Sequence, residues 1–134
     1  MHVCAEVFTN YLKQKNLHFS AYVDNDGDTI VDFPYQGKVC KFVFSGTSTY
    51  YMSIYLVLER APEDKNADAI FVCNDLNCRY KWATFYVDGD RDIVVHDDAI
   101  LTVESAAEEA FELLLRILKI SEDAKPTIMR VIYA

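Results

Sequence analysis

The chain has 134 residues, of which 51% are hydrophobic and 13% aromatic, with only four glycines and three prolines. This composition excludes a disordered or low-complexity protein and supplies enough apolar surface for one packed core, so we expect a single domain over residues 1–134. The formal net charge is −8. Because acidic surfaces repel phosphates, we expect neither nucleic acid nor a membrane surface as a partner.

The amino terminus, MHVCAEVFTN, lacks the basic start and apolar stretch of a secretory leader. No apolar run approaches the roughly 20 residues that a bilayer-spanning helix needs. We therefore expect a cytoplasmic protein whose four cysteines are free thiols.

The period at which apolar residues recur changes several times along the chain, and each change predicts the start of a new helix or strand. A helix at residues 3–15 is followed by strand-like runs separated by the turn DNDGD and by Gln36-Gly37. The run YYMSIYLVLE alternates between two faces, which is typical of a strand. Helical spacing returns from residue 63 to about 77.

Two further strands, YKWATFYVD and DIVVH, flank a turn at residues 88–90. Thr102 is placed to cap a long helix from Val103 to about Ile120, and Pro126 fits the first turn of a last helix from about 123 to 133. The order α-β-β-β-β-α-β-β-α-α predicts an α+β fold, with an antiparallel sheet and helices on one of its faces.

The segment LLLRILKI is apolar at six of its eight positions, more than one core-facing stripe uses. We expect another surface to cover it, either the last helix or a second copy of the chain. Leu113, Leu115 and Ile120 are therefore candidate contact residues.

The element order, Asn74 and Asn77 in NDLN, and the run RYKWATFYVDGDRDIVVHDD resemble the YbjN-like family of bacterial sensory transduction regulators. The resemblance spans roughly Val7 to Ile120. It implies a fold like that of type III secretion chaperones and a non-enzymatic role as a regulator or chaperone-like binder. The two asparagines are expected to be structural, with their amides bonding backbone where the helix passes into the next strand.

Candidate chemical sites are weak. The turn at 24–28 lacks the Gly and Glu positions of an EF-hand, so we interpret it and the turn at 88–92 as solvated hairpins. The spacing of Cys73 and Cys78 differs from that of usual zinc pairs. No cysteine or serine is arranged with a histidine for nucleophilic catalysis. We therefore predict no catalytic residue, no metal site and no cofactor.

The stronger signal is a surface. If the helices cover the alternate apolar positions of the strands, the other face carries the aromatic side chains of Tyr22, Tyr51, Tyr55, Trp82 and Tyr86. Aromatic rings with polar tips suit protein contacts, but cross-strand tyrosine pairs also stabilise a solvent-facing sheet without any partner. Likewise, the acidic window at 88–112 either steers a basic segment or only keeps the domain soluble.

Two functions follow from these patterns. The first is a cytoplasmic, non-enzymatic protein-interaction module that forms a homodimer and binds another protein. The alternative is a small-ligand or metal-binding domain with a pocket near Cys73, Cys78 and Trp82.

Overall fold

A computed structural model describes all 134 residues of the chain. It contains three α-helices, six β-strands and one short 3-10 turn at Glu63–Lys65. In chain order the elements are α1 (Val3–Gln14), β1 (Ser20–Val23), β2 (Thr29–Tyr35), β3 (Lys38–Ser45), β4 (Tyr50–Arg60), α2 (Asn66–Arg79), β5 (Thr84–Val87), β6 (Asp92–Leu101) and α3 (Ala106–Ile132).

The strands form one antiparallel sheet in the order β1-β2-β3-β4-β6-β5. Three hairpins build the first four strands, α2 interrupts the sequence, and the last hairpin adds β6 beside β4. The predicted α+β class and the order of elements are confirmed, with one difference at the carboxyl end described below. None of the three helices is both long and apolar enough to cross a bilayer.

The core lies between one face of the sheet and the three helices. It is a single cluster of 30 buried residues, drawn from α1, α2, α3 and the alternate positions of the strands. Phe8 of α1, for example, lies with its ring centroid 4.7 Å from that of Phe42 on β3. Because strand side chains alternate between faces, the predicted helix-facing residues Met52, Ile54 and Leu56 are all buried in this cluster.

The C-terminal region is one helix of 27 residues, not the two helices predicted. Its buried positions run without a break from Ala110 through Ile117, Ala124 and Ile128 to Ile132 at spacings of three and four. Pro126 is exposed inside this helix. An interior proline costs about 3 kcal/mol, and burial of the apolar stripe on both sides of it offsets that cost.

The predicted cap at Thr102 is displaced, because α3 begins at Ala106 and its N-cap is Ser105; Thr102 lies in the turn that precedes the helix. The Thr102 Oγ1 accepts the backbone N–H of Ser105 at 3.1 Å, and the Ser105 Oγ accepts the N–H of Thr102 at 3.0 Å. This reciprocal pair has the geometry of a capping box with serine in the third position.

Two hairpins share one acidic turn geometry. The Oδ1 of Asp24 accepts the N–H groups of Asp26 and Asp28, and the Oδ1 of Asp88 accepts those of Asp90 and Asp92, all at 2.9 Å. These bonds hold the turn backbone in the way that Asx turns do. The carboxylates therefore have a local structural use, in agreement with the hairpin interpretation.

The outer edge of the sheet at β5 is closed by a side chain of α2. Asn77 donates its amide N–H to the Phe85 carbonyl at 3.0 Å and accepts the Phe85 N–H at its Oδ1 at 2.7 Å. Both outward backbone groups of Phe85 are thereby satisfied, which protects an edge strand from pairing with another chain. The expected structural role is confirmed for Asn77, whereas Asn74 is exposed and makes no side-chain hydrogen bond.

Replacing Asn77 with alanine is expected to lower the free energy of unfolding by about 2 kcal/mol, because two hydrogen bonds to part-buried backbone are lost. Asn74→Ala, on the exposed side of the same helix, is the matched control and is expected to change stability by less than about 0.5 kcal/mol. Urea denaturation of the two variants tests this. Equal effects would show that the bonds to Phe85 contribute nothing.

Candidate functional site: the open face of the sheet

The side of the sheet turned away from the helices is uncovered, and we call it the open face. Its exposed apolar and aromatic side chains come from five strands and are Tyr22, Val39, Tyr51, Val57, Tyr86 and Ile100. Tyr55, between them on β4, is partly buried. Four of the five predicted aromatic residues, Tyr22, Tyr51, Tyr55 and Tyr86, therefore lie on this face.

Two more apolar residues of the open face are buried without belonging to the core. Ile30 is 5% exposed and Val94 is 3% exposed, and neither is part of the 30-residue core cluster. Ile30 is paired across the strands with Tyr22, and Val94 with Tyr86. On the open face, Tyr22 and Tyr86 therefore each lie beside a buried apolar side chain.

A row of polar side chains crosses the middle of the open face. In register, Asp32 is opposite Lys41, Lys41 is opposite Tyr55, and Tyr55 is opposite His96. Lys41 Nζ lies 2.8 Å from the Asp32 carboxylate. The Tyr55 and His96 rings are stacked with centroids 5.4 Å apart. The ionisable groups of this row are thus engaged within the chain.

His96 has two further contacts. Its Nε2 lies 3.3 Å from a carboxylate oxygen of Asp98, and its ring meets the Tyr86 ring edge-on at 5.7 Å between centroids. Sequence reasoning did not predict this cluster. The alternation of β6 placed His96 on the open face but could not show which neighbouring rings it would contact.

Beside the polar row lies a groove whose lining is half apolar. The apolar part is Val39, Tyr55, Val57, Tyr86 and Val94, from four adjacent strands, and the charged part is Asp32, Lys38, Lys41 and Asp88. The predicted surface of the sheet was limited to aromatic side chains and therefore did not include Val39 or Val57. The signal for Val57 was present, since it shares the parity of Tyr51 and Tyr55 along β4.

Trp82 does not lie on the open face, contrary to prediction. The prediction extended the alternation of β5 backward, but the strand begins at Thr84 and Trp82 has a positive φ of 70°. That backbone turns the indole toward α3, where the Arg116 guanidinium lies 5.2 Å from the ring centroid. The side chain is 60% exposed, in a depression with Glu108, Glu109 and Glu112.

The predicted contact residues of the last helix do not form one patch. Leu113 is buried in the core, Ile120 is half-buried, and Leu115 is 47% exposed. Two residues along a helix turn the side chain by about 200°, so Leu113 and Leu115 lie on opposite sides of α3. The expectation that a final helix covers this segment is wrong, because the chain continues straight through residue 121.

Three of the four thiols are buried and poorly suited to nucleophilic or metal chemistry. Burial raises the pKa of the Cys40 thiol to about 12 and that of Cys73 to about 11. Burial also raises the pKa of Cys4, with a further contribution from the charge of Glu104. Since the thiolate is the reactive form, these three side chains behave as small buried hydrophobes.

No contact supports the alternative ligand pocket. The depression beside Trp82 includes neither Cys73 nor Cys78 in its lining. A partly open cavity between the β2–β3 turn and α3, bordered by Tyr35 and Glu122, has a volume of about 90 Å³. The depression beside Trp82 is larger, but it is open to solvent.

The carboxylates of Asp88, Asp90 and Asp92 lie within 4.8 Å of one another. Asp88 already accepts two backbone N–H groups, and the Asp92 carboxylate lies 3.1 Å from Arg60 Nε. These contacts account for the cluster by local structure.

Asp97 is the carboxylate whose environment is most unfavourable to its charge. It points to the helix side of β6, its Oδ1 accepts the N–H of Asp98 at 2.8 Å, and its Oδ2 is buried without a hydrogen bond. Burial raises the pKa of the Asp97 carboxyl above its ordinary value of 3.8, although the Asp98 N–H opposes the shift. Ionisation of Asp97 therefore destabilises the folded state.

Replacing Asp97 with asparagine is expected to raise stability at neutral pH, because the amide keeps an Oδ1 acceptor and carries no charge. Because folding raises the pKa of Asp97, the wild-type protein loses stability as the pH rises from the pKa of the unfolded chain through that of the folded chain. Below pH 3.8 the carboxyl is protonated in both states, so the advantage of the asparagine variant should disappear there. Denaturant titrations at neutral and acidic pH test this. The control Asp123→Asn, which removes an exposed carboxylate, should show the same dependence of stability on pH as the wild-type protein. If Asp97→Asn differs from wild type by the same amount at every pH, ionisation of Asp97 does not destabilise the fold.

The fold and surface together define a class: an α+β domain with helices on one face of an antiparallel sheet and an uncovered, partly aromatic face on the other. The family model of YbjN, described as "Putative bacterial sensory transduction regulator", matches residues 5–124. The chain belongs to the YbjN family. No curated protein matches it.

A solved structure shows the same fold. The crystal structure of YbjN from E. coli, described as "a putative transcription regulator", matches with a TM-score of 0.59 over 92% of each chain, at 12% sequence identity. At this identity the likeness establishes the architecture alone.

Proposed function

We propose that this chain is a non-catalytic regulatory domain of the bacterial cytoplasm that acts by binding protein on the open face of its sheet. One observation carries the proposal: a whole sheet face is left uncovered while six apolar or aromatic side chains on it are exposed. These side chains lie on both sides of the polar row, and exposed apolar surface bordered by polar residues is typical of protein contact sites. The family description as a sensory transduction regulator is consistent with such a role.

Charge favours protein over nucleic acid as the partner. The E. coli relative is described as a transcription regulator, but direct binding to DNA needs cationic side chains against phosphates. This chain has 21 acidic and 13 basic side chains. Regulation through protein contact is therefore the better fit, and the partner is either a different protein or a second copy of the chain.

The open face can be tested by capture of protein partners. Immobilised wild-type protein, Val57→Glu and Leu115→Glu are exposed to bacterial lysate, and retained proteins are identified by mass. Val57 on the open face is 45% exposed and Leu115 on α3 is 47% exposed, so the two changes are matched. Retention lost only in Val57→Glu supports the proposal. Retention unchanged in Val57→Glu, or lost only in Leu115→Glu, contradicts it.

A further inference from the structure

We propose that the occupant of the open face is a second copy of this chain, related by a two-fold axis that runs parallel to the strands between β3 and β4. This inference rests on the proposed function and names the partner at the same surface. Three features of the open face support it: its size, its internal charge pairing and its self-complementary rows.

The size is that of a stable interface. Six strands about 4.8 Å apart and about seven residues of 3.4 Å along each strand give a planar area of roughly 600 Å², which side chains enlarge. Stable protein interfaces bury about 800 Å² on each partner. Two sheets packed face to face align within about 30°, so a second copy can cover most of this area.

The charges of the open face are paired within the chain. Asp32 and Lys41 form an ion pair at 2.8 Å, and Asp98 lies 3.3 Å from His96 while accepting the Ser53 hydroxyl. The acidic residues of α3 belong to the helical side of the molecule. A second acidic copy can therefore approach the polar row without meeting an unpaired carboxylate, and a basic partner would find no free carboxylate there. At the edge of the groove, Asp88 accepts two backbone N–H groups.

The polar row is complementary to its own reversed image. Its order across the sheet is Asp32, Lys41, Tyr55, His96. The proposed axis reverses that order in the facing sheet, so Lys41 meets Tyr55 of the partner subunit and Asp32 meets His96 of the partner subunit. The first pair is a cation–π contact and the second joins a carboxylate to an imidazole. A two-fold interface makes each of these contacts twice.

The neighbouring row is apolar, and the proposed axis places it opposite the same row of the second copy. Pro34 is opposite Val39 on one side of the axis, and Val57 is opposite Val94, which is opposite Tyr86, on the other. Reversal of this row places Val39 against Val57 of the partner subunit and Pro34 against Val94 of the partner subunit, while Tyr86 on β5 faces the β1 side of the other sheet. Val39 and Val57, the most exposed valines of the row, lie on the two strands that flank the axis and would be buried at the centre of the interface.

Sedimentation velocity over a wide range of protein concentrations tests the inference. Wild-type protein and Leu115→Glu are expected to be dimers. Val57→Glu is expected to weaken dimerisation by at least about 100-fold, because the two-fold axis would bury two new carboxylates against the valines at the centre of the interface. Val39→Glu on β3 is a second variant with the same expected loss, and circular dichroism with thermal melting confirms that each variant is folded.

Failure of this inference is distinguishable from failure of the proposed function. A wild-type monomer at every concentration overturns the inference, and if that monomer retains a different protein through Val57, the proposed function stands with another occupant. A dimer that survives both Val57→Glu and Val39→Glu but is lost in Leu115→Glu also overturns the inference, since it places the interface on α3. A wild-type monomer that retains nothing overturns both.

Discussion

Gly46→Ala is expected to lower the free energy of unfolding by about 3 kcal/mol or more. The added methyl group would clash with the neighbouring backbone, and alanine does not adopt the backbone conformation of this position without strain. Gly46 has a φ of +97°, and a Cβ there would lie 1.9 Å from the backbone oxygen of Thr49. The β3–β4 loop would have to move. That movement would also disturb His2, whose Nε2 donates to the Gly46 carbonyl at 3.1 Å while its Nδ1 accepts the N–H of Cys4.

Gly37→Ala separates the two causes. Gly37 also has a positive φ, +77°, but an added Cβ there would have nothing within 4 Å. Gly37→Ala should therefore lower the free energy of unfolding by only about 1 kcal/mol, the cost of placing alanine at a positive φ. Urea denaturation of both variants is the measurement. If Gly46→Ala is no more destabilising than Gly37→Ala, the contact with Thr49 is not a constraint on the fold.

Phe42→Ala is expected to cost about 3–5 kcal/mol, the usual range for truncating a buried aromatic side chain. Phe42 is fully buried on β3, with its ring centroid 4.7 Å from Phe8 and 6.3 Å from Phe44. The truncation leaves a cavity at the contact between α1 and the sheet. For a domain of this size, a loss of 4 kcal/mol lowers the melting temperature by roughly 15 °C.

Phe71→Ala is the matched control for Phe42→Ala, because the same side chain is removed from the surface of α2. Phe71 is 74% exposed, and its replacement is expected to change stability by less than about 0.5 kcal/mol. Thermal melting of the two variants gives the comparison. A similar melting temperature for both would show that the Phe8–Phe42 contact does not anchor α1.

The strand faces could be predicted from sequence because alternation is a local property. On β4, Met52, Ile54 and Leu56 are buried and Tyr51 and Val57 are exposed, as the period of two requires. Alternation breaks at the bulge between Val57 and Glu59 on β4 and where a strand ends. Trp82 shows this, since its positive φ breaks the pattern two residues before β5 begins.

The C-terminal helix shows a conflict between local and tertiary effects. Pro126 indicated a helix start, because proline suits the first turn and disrupts interiors. The stripe that continues through Ala124 and Ile128 was the competing signal, and burial of that stripe decides the structure. A residue's local preference was therefore a poorer guide here than the apolar period over seven turns.

The candidate site could be predicted only in part. Which tyrosines share the open face follows from alternation, but the ion pair of Lys41 with Asp32 and the stack of Tyr55 on His96 depend on the register between strands. Register is set by turns and by the pairing of β4 with β6 across the intervening α2, and that pairing is not visible in local sequence.

The second half of β6 has an unpaired edge, and this edge affects the tendency of the protein to aggregate. β5 pairs with β6 only as far as His96, so Asp97–Leu101 have a neighbour on one side alone, and the Asp97 carboxylate binds the N–H of Asp98 there. A charged group at such a bare edge discourages fibril-like stacking of identical molecules. Because the raised pKa of Asp97 lets it lose its charge before carboxyls of ordinary pKa as the pH falls, we expect acid-induced precipitation to begin at this short stretch of backbone.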